Sequence, residues 1–165
     1  MIDGILIDAL QRADAEAMLA VFNHYVAHSF AAYPEKPLTI DGIHRLLDGC
    51  DAYPRFAARD GAGNLVGFGF LSAYSPHDAF CGTTQITYFL APEHTGRGIG
   101  SRLLARLEDA AREVGIEVIL AHVSSENPGS LAFHRRHGFT ECGRFRGIGI
   151  KHGRRFDVVW FQKRL

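Results

Sequence analysis

No stretch of the 165 residues approaches the roughly 20 consecutive apolar positions that a bilayer-crossing helix needs. The opening Met1-Ile2-Asp3-Gly4-Ile5-Leu6 lacks the basic residues that begin a secretory signal, so the cytoplasm is the expected location and no membrane partner is expected. Cysteine is scarce. Cys50, Cys81 and Cys142 are an odd number, widely spaced and without a CxxC pair, which argues against a disulfide framework or a zinc knuckle and leaves them as small core hydrophobes. An excess of either charge is missing too: 18 Lys and Arg balance 18 Asp and Glu, so no overall field draws the chain to nucleic acid. Internal repeats, low-complexity segments and dividing linkers are likewise missing. A small-molecule partner is the expectation that survives these exclusions.

What is present is enough for one core. With 47% hydrophobic residues, a chain of this length buries roughly 70% of its unfolded surface, and a single domain over 1–165 is expected. Residues 5–7 read as a short strand, and Asp14 as the cap of a helix running to about His28. Pro34 and Pro37 make 33–38 a loop, after which Thr39 caps a second helix through about Leu47. Strands are predicted at 55–59 and 65–71 around the glycine-rich turn 60–64, then at 83–90. An amphipathic helix over 98–114 carries Ile99, Leu103, Leu104, Leu107, Ala110 and Ala111 on its apolar side and stops at Gly115. A strand at 118–123, a short helix at 128–137 ending at Gly138, and a hairpin of 139–146 with 155–162 complete the order β-α-α-β-β-β-α-β-α-β-β.

The run Pro92-Glu93-His94-Thr95-Gly96-Arg97-Gly98-Ile99-Gly100 lies between a strand and a helix. Glycines at 96, 98 and 100 let the backbone turn tightly and aim several N–H groups at one anion, and the helix start adds its positive dipole end. A Walker loop is excluded because Gly-Lys-Ser/Thr is missing, and a dinucleotide fingerprint because Leu103 stands where its third glycine belongs. A plain structural turn remains the alternative for the run alone.

Its context decides. The loop follows an apolar strand ending in Ala91-Pro92 and precedes Asn127-Pro128-Gly129-Ser130-Leu131-Ala132-Phe133-His134-Arg135-Arg136-His137-Gly138-Phe139, a pattern that resembles the GNAT superfamily of N-acetyltransferases. Asn23-His24-Tyr25, His134 and Lys151-His152-Gly153-Arg154-Arg155-Phe156-Asp157-Val158-Val159-Trp160 extend the resemblance, over nearly the whole chain, to phosphinothricin and methionine sulfoximine/sulfone acetyltransferases. The resemblance implies an α/β (α+β) fold: a mixed, twisted central sheet of about seven strands with helices on both faces, whose strands ending at Leu90 and near Val123 splay apart around acetyl-CoA. By the same resemblance, pantetheine pairs with backbone at Phe89, Leu90 and Ala91, and the pyrophosphate sits on Thr95, Gly96, Arg97, Gly98, Ile99 and Gly100. Asn127 and Ser130 reach the far end of the cofactor, Phe30, Tyr33, Tyr74, His77 and Phe80 face a small-molecule amine, and the chain is a homodimer.

The implied reaction is attack by a neutral amine on the thioester, with a backbone N–H near Leu90 holding the oxyanion. A base must first deprotonate the ammonium. Gln85 stands where the resembled enzymes carry a glutamate, and an amide cannot take that proton. Either the base lies elsewhere, among His122, Glu126 and His134, or water suffices; His134, as shuttle or as donor to the departing thiolate, is favoured. Thr95 replaces the cradle's usual Gln or Arg, and His77 and Tyr74 replace an arginine and a tryptophan, which removes a cation for an acidic substrate. No metal is expected: His24-x-x-x-His28 lacks the glutamate of HExxH and His134-x-x-His137 a third ligand. The basic cluster at 151–155 reads as a solvated turn or dimer contact. Two other functions stay open, acetylation of another amine (a peptide N-terminus, polyamine or aminoglycoside) and a non-catalytic acetyl-CoA sensor.

Overall fold

The computed structural model describes residues 4–165, so the opening that bears on a leader segment lies outside the described residues. After β1 (Leu6–Ala9) the chain enters α1 (Ala15–His28) through a short turn. Asp14, the expected cap of α1, makes no cap there; its carboxylate reaches back to the Gln11 N–H at 2.8 Å and grips Arg59 at 2.9 Å, fixing the turn instead. Pro34 and Pro37 keep the following segment out of helix, as a loop with a bend at 35–36. The Asn23 amide clamps that loop to α1, accepting from the Leu38 N–H at 2.8 Å and donating to the Leu38 carbonyl at 3.0 Å. Thr39 then accepts from the Gly42 N–H at 3.2 Å and starts α2 (Ile40–Gly49), as its residue type predicts.

The remaining elements are β2 (Arg55–Arg59), β3 (Leu65–Ala73), β4 (Thr83–Leu90), α3 (Ile99–Glu113), β5 (Val118–Ser124), α4 (Pro128–Arg136), β6 (Thr140–Lys151) and β7 (Arg154–Arg164). They form one seven-stranded sheet in the order β1-β2-β3-β4-β5-β7-β6, antiparallel at every neighbour except β4 with β5. Helices cover both faces. Phe68 and Phe70 of β3 point into a core with Met18, Phe22, Ile43 and Leu47 from α1 and α2. Their neighbour Gly69 faces the other way, where a Cβ would stand 3.0 Å from Leu107 and 3.2 Å from Leu103, so α3 rests directly on the backbone there. Leu71, Ile86 and Ile119 join those leucines in the second core. Each fully buried side chain of this kind contributes about 1.5–3 kcal/mol.

The terminal hairpin is longer than its alternation predicts, because β6 continues to Lys151 through a bulge between Phe145 and Gly149. Asp157 organises that bulge, accepting from the Gly147 N–H and from Arg144 Nε, both at 2.7 Å. His152 and Gly153, at φ +50° and +72°, make the two-residue turn that matches strand twist. Lys151 departs from its expected place in a solvated turn: it is fully buried, and its ammonium donates to the carbonyls of Ser29 and Ala32, both at 2.6 Å, and of Tyr25 at 3.4 Å. Those carbonyls lie at and beyond the end of α1, where a cation complements the helix dipole. Of the cysteines, Cys50 is a core residue, whereas Cys81 and Cys142 are exposed, contrary to the expectation for all three.

Candidate active site

β4 and β5 pair only where residues 83–85 meet 118–120, and beyond that point they separate. Which backbone groups the separation frees follows from register. The Tyr74 N–H bonds the Thr83 carbonyl at 3.4 Å and the Ala91 N–H bonds the Val66 carbonyl at 2.8 Å. Bonding alternates along an antiparallel pair, so the odd-numbered residues of β4 bond β3, and Tyr88 and Leu90 turn their N–H and C=O groups toward the split. Of the three residues expected to offer backbone to pantetheine, Phe89 and Ala91 are therefore engaged with β3. The Leu90 N–H is available, and so are the backbone groups of Tyr88, a residue outside the set expected from the sequence. The Leu90 carbonyl accepts from the Tyr25 hydroxyl at 2.7 Å.

The split opens into a cavity of about 1170 Å³ that reaches the glycine run. Gly96 and Gly98 adopt φ of +72° and +78°, the left-handed region, and a Cβ at either would meet no atom within 4 Å. Backbone conformation, not crowding, is what glycine supplies here. Thr95 turns its hydroxyl back to the Pro92 carbonyl at 2.8 Å, and Arg97 is exposed. Ile99 buries its side chain with Ala58 and Val66 and so pins the first turn of α3, while Gly100 lies beside the Phe133 ring. His137 Nε2 lies 2.8 Å from the Ser101 hydroxyl, and its Nδ1 donates to the Phe133 carbonyl, also at 2.8 Å, tying α4 to the cradle. Residues 99–101 leave N–H groups free of intrahelical partners at the cavity, a ready anion seat.

α4 forms the opposite wall. Asn127 accepts from the Ser130 N–H at 3.2 Å and is the cap of this helix, with Ser130 one turn in. His134 is buried and has both nitrogens engaged: Nδ1 donates to the Ser130 carbonyl at 2.8 Å, and Nε2 accepts from the Tyr88 hydroxyl at 2.6 Å. Burial lowers the His134 pKa against the opposing pull of the Ser130 carbonyl, and burial raises that of Tyr88, so the pair is neutral at pH 7. Neither His134 nitrogen has a lone pair free for an incoming ammonium.

A second cavity of about 510 Å³ adjoins the first, lined by Gln85, Phe145, Ile148, Phe156 and Trp160 among others. Tyr33 and His122 line both. Their rings stack at 5.5 Å between centroids, with the Tyr33 hydroxyl 3.2 Å from His122 Nδ1. Burial pushes the Tyr33 phenol up to about 12 and lowers the His122 imidazole. Of the five residues expected to face the acceptor, Tyr33 is the one that lines these cavities. Phe30 packs on Phe156 at 5.5 Å, outside both cavities. Tyr74 and Phe80 contact each other at 5.4 Å on the exposed loop between β3 and β4, with His77 exposed between them. Glu126, another candidate base, is held in an ion pair with Arg154 at 2.5 Å. Among the described residues no group of three or more His, Cys, Asp or Glu is placed to hold a metal ion.

The sequence model of the acetyltransferase (GNAT) family matches residues 16–139. The chain is 31% identical over 155 residues to an L-methionine sulfoximine/L-methionine sulfone acetyltransferase of Pseudomonas aeruginosa, covering 93% of this chain and 90% of that protein. It superposes on a ribosomal-protein-alanine N-acetyltransferase from Brucella melitensis with a TM-score of 0.90 at 33% identity, covering 97% and 99% of the two chains. A phosphinothricin acetyltransferase from Sinorhizobium meliloti in complex with AcCoA gives a TM-score of 0.92 at 27% identity over 98% and 89%. A split β4–β5 pair leading into a glycine cradle at a helix start, on a chain that shares this family's sequence from α1 to the end of α4, identifies the protein: it belongs to the GNAT family and is an N-acetyltransferase.

Proposed function

We propose that the protein transfers the acetyl group of acetyl-CoA to the amino group of a small amino-acid-like substrate of the methionine sulfone, sulfoximine or phosphinothricin type. One observation carries this reading: the freed backbone groups of Tyr88 and Leu90 run straight into the cradle at 95–100, giving a thioester arm and a pyrophosphate one continuous seat. Relatives that act on such substrates, and a structural neighbour bound to AcCoA, support it. With the arm along β4, the Leu90 N–H stabilises the oxyanion as the amine attacks, and holding amine and thioester together supplies much of the acceleration. Tyr88 and His134 serve the departing thiolate: the second amine proton reaches the sulfur by way of the Tyr88 hydroxyl, which His134 Nε2 holds in place. The protein works in the cytoplasm with the acetyl-CoA pool, without a metal, and as a homodimer.

Calorimetry with acetyl-CoA should give saturable one-to-one binding, and thiol release should follow when methionine sulfone or phosphinothricin is added. Absence of saturable binding would overturn the proposal. The acceptor cavity favours keeping a second reading: its lining is apolar apart from Gln85, Tyr33, His122 and the Trp160 indole, and His77 stands away from it. An uncharged amine, or the N-terminus of a peptide, fits that lining as well as an acidic amino acid does. Turnover of such an amine in preference to methionine sulfone would select it, and tight cofactor binding with no turnover across the panel would select the sensor.

A further inference from the structure

Gln85 leaves the reaction without its carboxylate base, and the geometry points to His122 as the group that replaces it. This assignment rests on the acetyltransferase reading above. Gln85 pairs with Leu120 across the parallel β4–β5 contact, so the two side chains share one face of the sheet. His122 follows Leu120 by two positions and therefore shares that face as well. It lies one step along the neighbouring strand from the position the glutamate would hold, at the point where the strands part. The location is specific: among the described residues only Tyr33 and His122 line both cavities, and an amine passing from the acceptor pocket to a thioester on β4 passes between them and the split.

The chemistry of the ring fits. The Tyr33 oxygen can accept from His122 Nδ1–H, and in that tautomer the Nε2 lone pair is the one left to take a proton. Nε2 has no hydrogen-bond partner among the described residues. Tyr33 from the α1–α2 loop stacks on one side of the ring and Trp160 from β7 lies at 5.1 Å, while the residue keeps an exposed edge; Tyr33 is the titratable group of the two, and the flanking aromatic surface lowers the imidazole with no charge opposing it. The imidazole thus stays unprotonated to a lower pH than a free histidine. The other histidines of the first cavity are less suited: His134 and His137 have both nitrogens engaged, and His24, exposed on α1 against His28, does not line the second cavity. In the step assigned here, Nε2 takes one proton from the substrate ammonium and passes it to solvent after turnover. The amine nitrogen bonds the thioester carbon, the C–S bond breaks, and the second nitrogen proton reaches the thiolate, giving amide and free thiol.

The test uses His122→Gln, which keeps a hydrogen-bonding side chain but no base. With a turned-over amine, kcat/KM at pH 7 should fall about 10²- to 10⁴-fold, the usual range for a positioned base. Acetyl-CoA affinity by calorimetry should stay within about twofold, which also reports that the variant folds. The wild-type pH profile should show an acid limb below 6.5 that is lost in the variant. Adding Gln85→Glu to His122→Gln should restore at least about tenfold and bring a limb in the carboxylate range, placing the proton acceptor on the neighbouring strand. Unchanged kcat/KM and acid limb in His122→Gln would overturn the assignment while leaving the acetyltransferase intact. If the wild type bound no acetyl-CoA, the functional reading would fail first and this one with it.

Discussion

Two buried polar side chains show how single residues couple this fold to its site. His134 sits between Phe161 and Tyr88, stacked on the phenyl ring at 5.3 Å and hydrogen-bonded to the phenol at 2.6 Å. Its folded pKa is below the unfolded 6.5 because burial disfavours the cation. In the window between the two values the unfolded chain binds the extra proton, so stability rises with pH there and is lost as pH falls from 6.5 through the folded value. The urea midpoint of the wild type should therefore decline between pH 7 and 5, and His134→Gln should show a shallower decline from a lower starting point; parallel curves for the two proteins would count against it. Lys151 is the second case. Lys151→Met keeps the aliphatic stem but strips the donors from three carbonyls at the end of α1, and leaving such groups unpaired costs about 1–3 kcal/mol. Because the same carbonyls lead into Tyr33, kcat/KM should fall in this variant more than acetyl-CoA affinity does, as steady-state kinetics beside calorimetry would show.

At the level of elements, the cradle separates what glycine does for binding from what it does for stability. Gly98 is the residue before α3 and holds φ at +78°, where an alanine is strained by about 1–2 kcal/mol although no neighbour obstructs its Cβ. Relaxing that strain means rotating the N–H groups of 98–100 away from their common focus. Gly98→Ala should thus weaken acetyl-CoA binding about tenfold or more in calorimetry while lowering the urea midpoint only modestly. A variant that lost stability but kept affinity would show that the amides do not act together. Most of this arrangement was legible in the sequence: all seven strands and four helices were readable from alternation, capping and prolines, because each follows from nearest-neighbour chemistry. Tyr88 was not, since which residues of β4 face the split depends on register with β3, a pairing between segments whose offset no local pattern records. Lys151 was hidden for a similar reason. A lysine beside Arg154 and Arg155 reads as surface until the hairpin is folded against α1. Phe30, Tyr74, His77 and Phe80 stand outside both cavities, in or next to loops whose paths local sequence does not determine.

For the molecule as a whole, the element that invites a partner is the outer face of β6. This strand ends the sheet, and Phe145, Ile148 and Ile150 are 55%, 61% and 56% exposed on it, an apolar edge that a soluble monomer would ordinarily protect with charge. All three residues also line the second cavity, the proposed acceptor pocket, with Gln85 and His122. The proposed homodimer explains both facts together if the partner packs on this edge: it would remove the apolar surface from water and close the pocket around the amine, raising the attraction of every polar contact inside. Ile148→Asp places a charge in that contact without touching the cradle. Sedimentation should show the wild type as a dimer and Ile148→Asp as a monomer at micromolar concentration. In the monomer KM for the amine should rise by about tenfold or more while acetyl-CoA affinity is unchanged, because no residue of β6 lines the cavity that holds the cradle. A monomeric wild type with an ordinary KM would instead mean that the apolar edge serves the substrate alone.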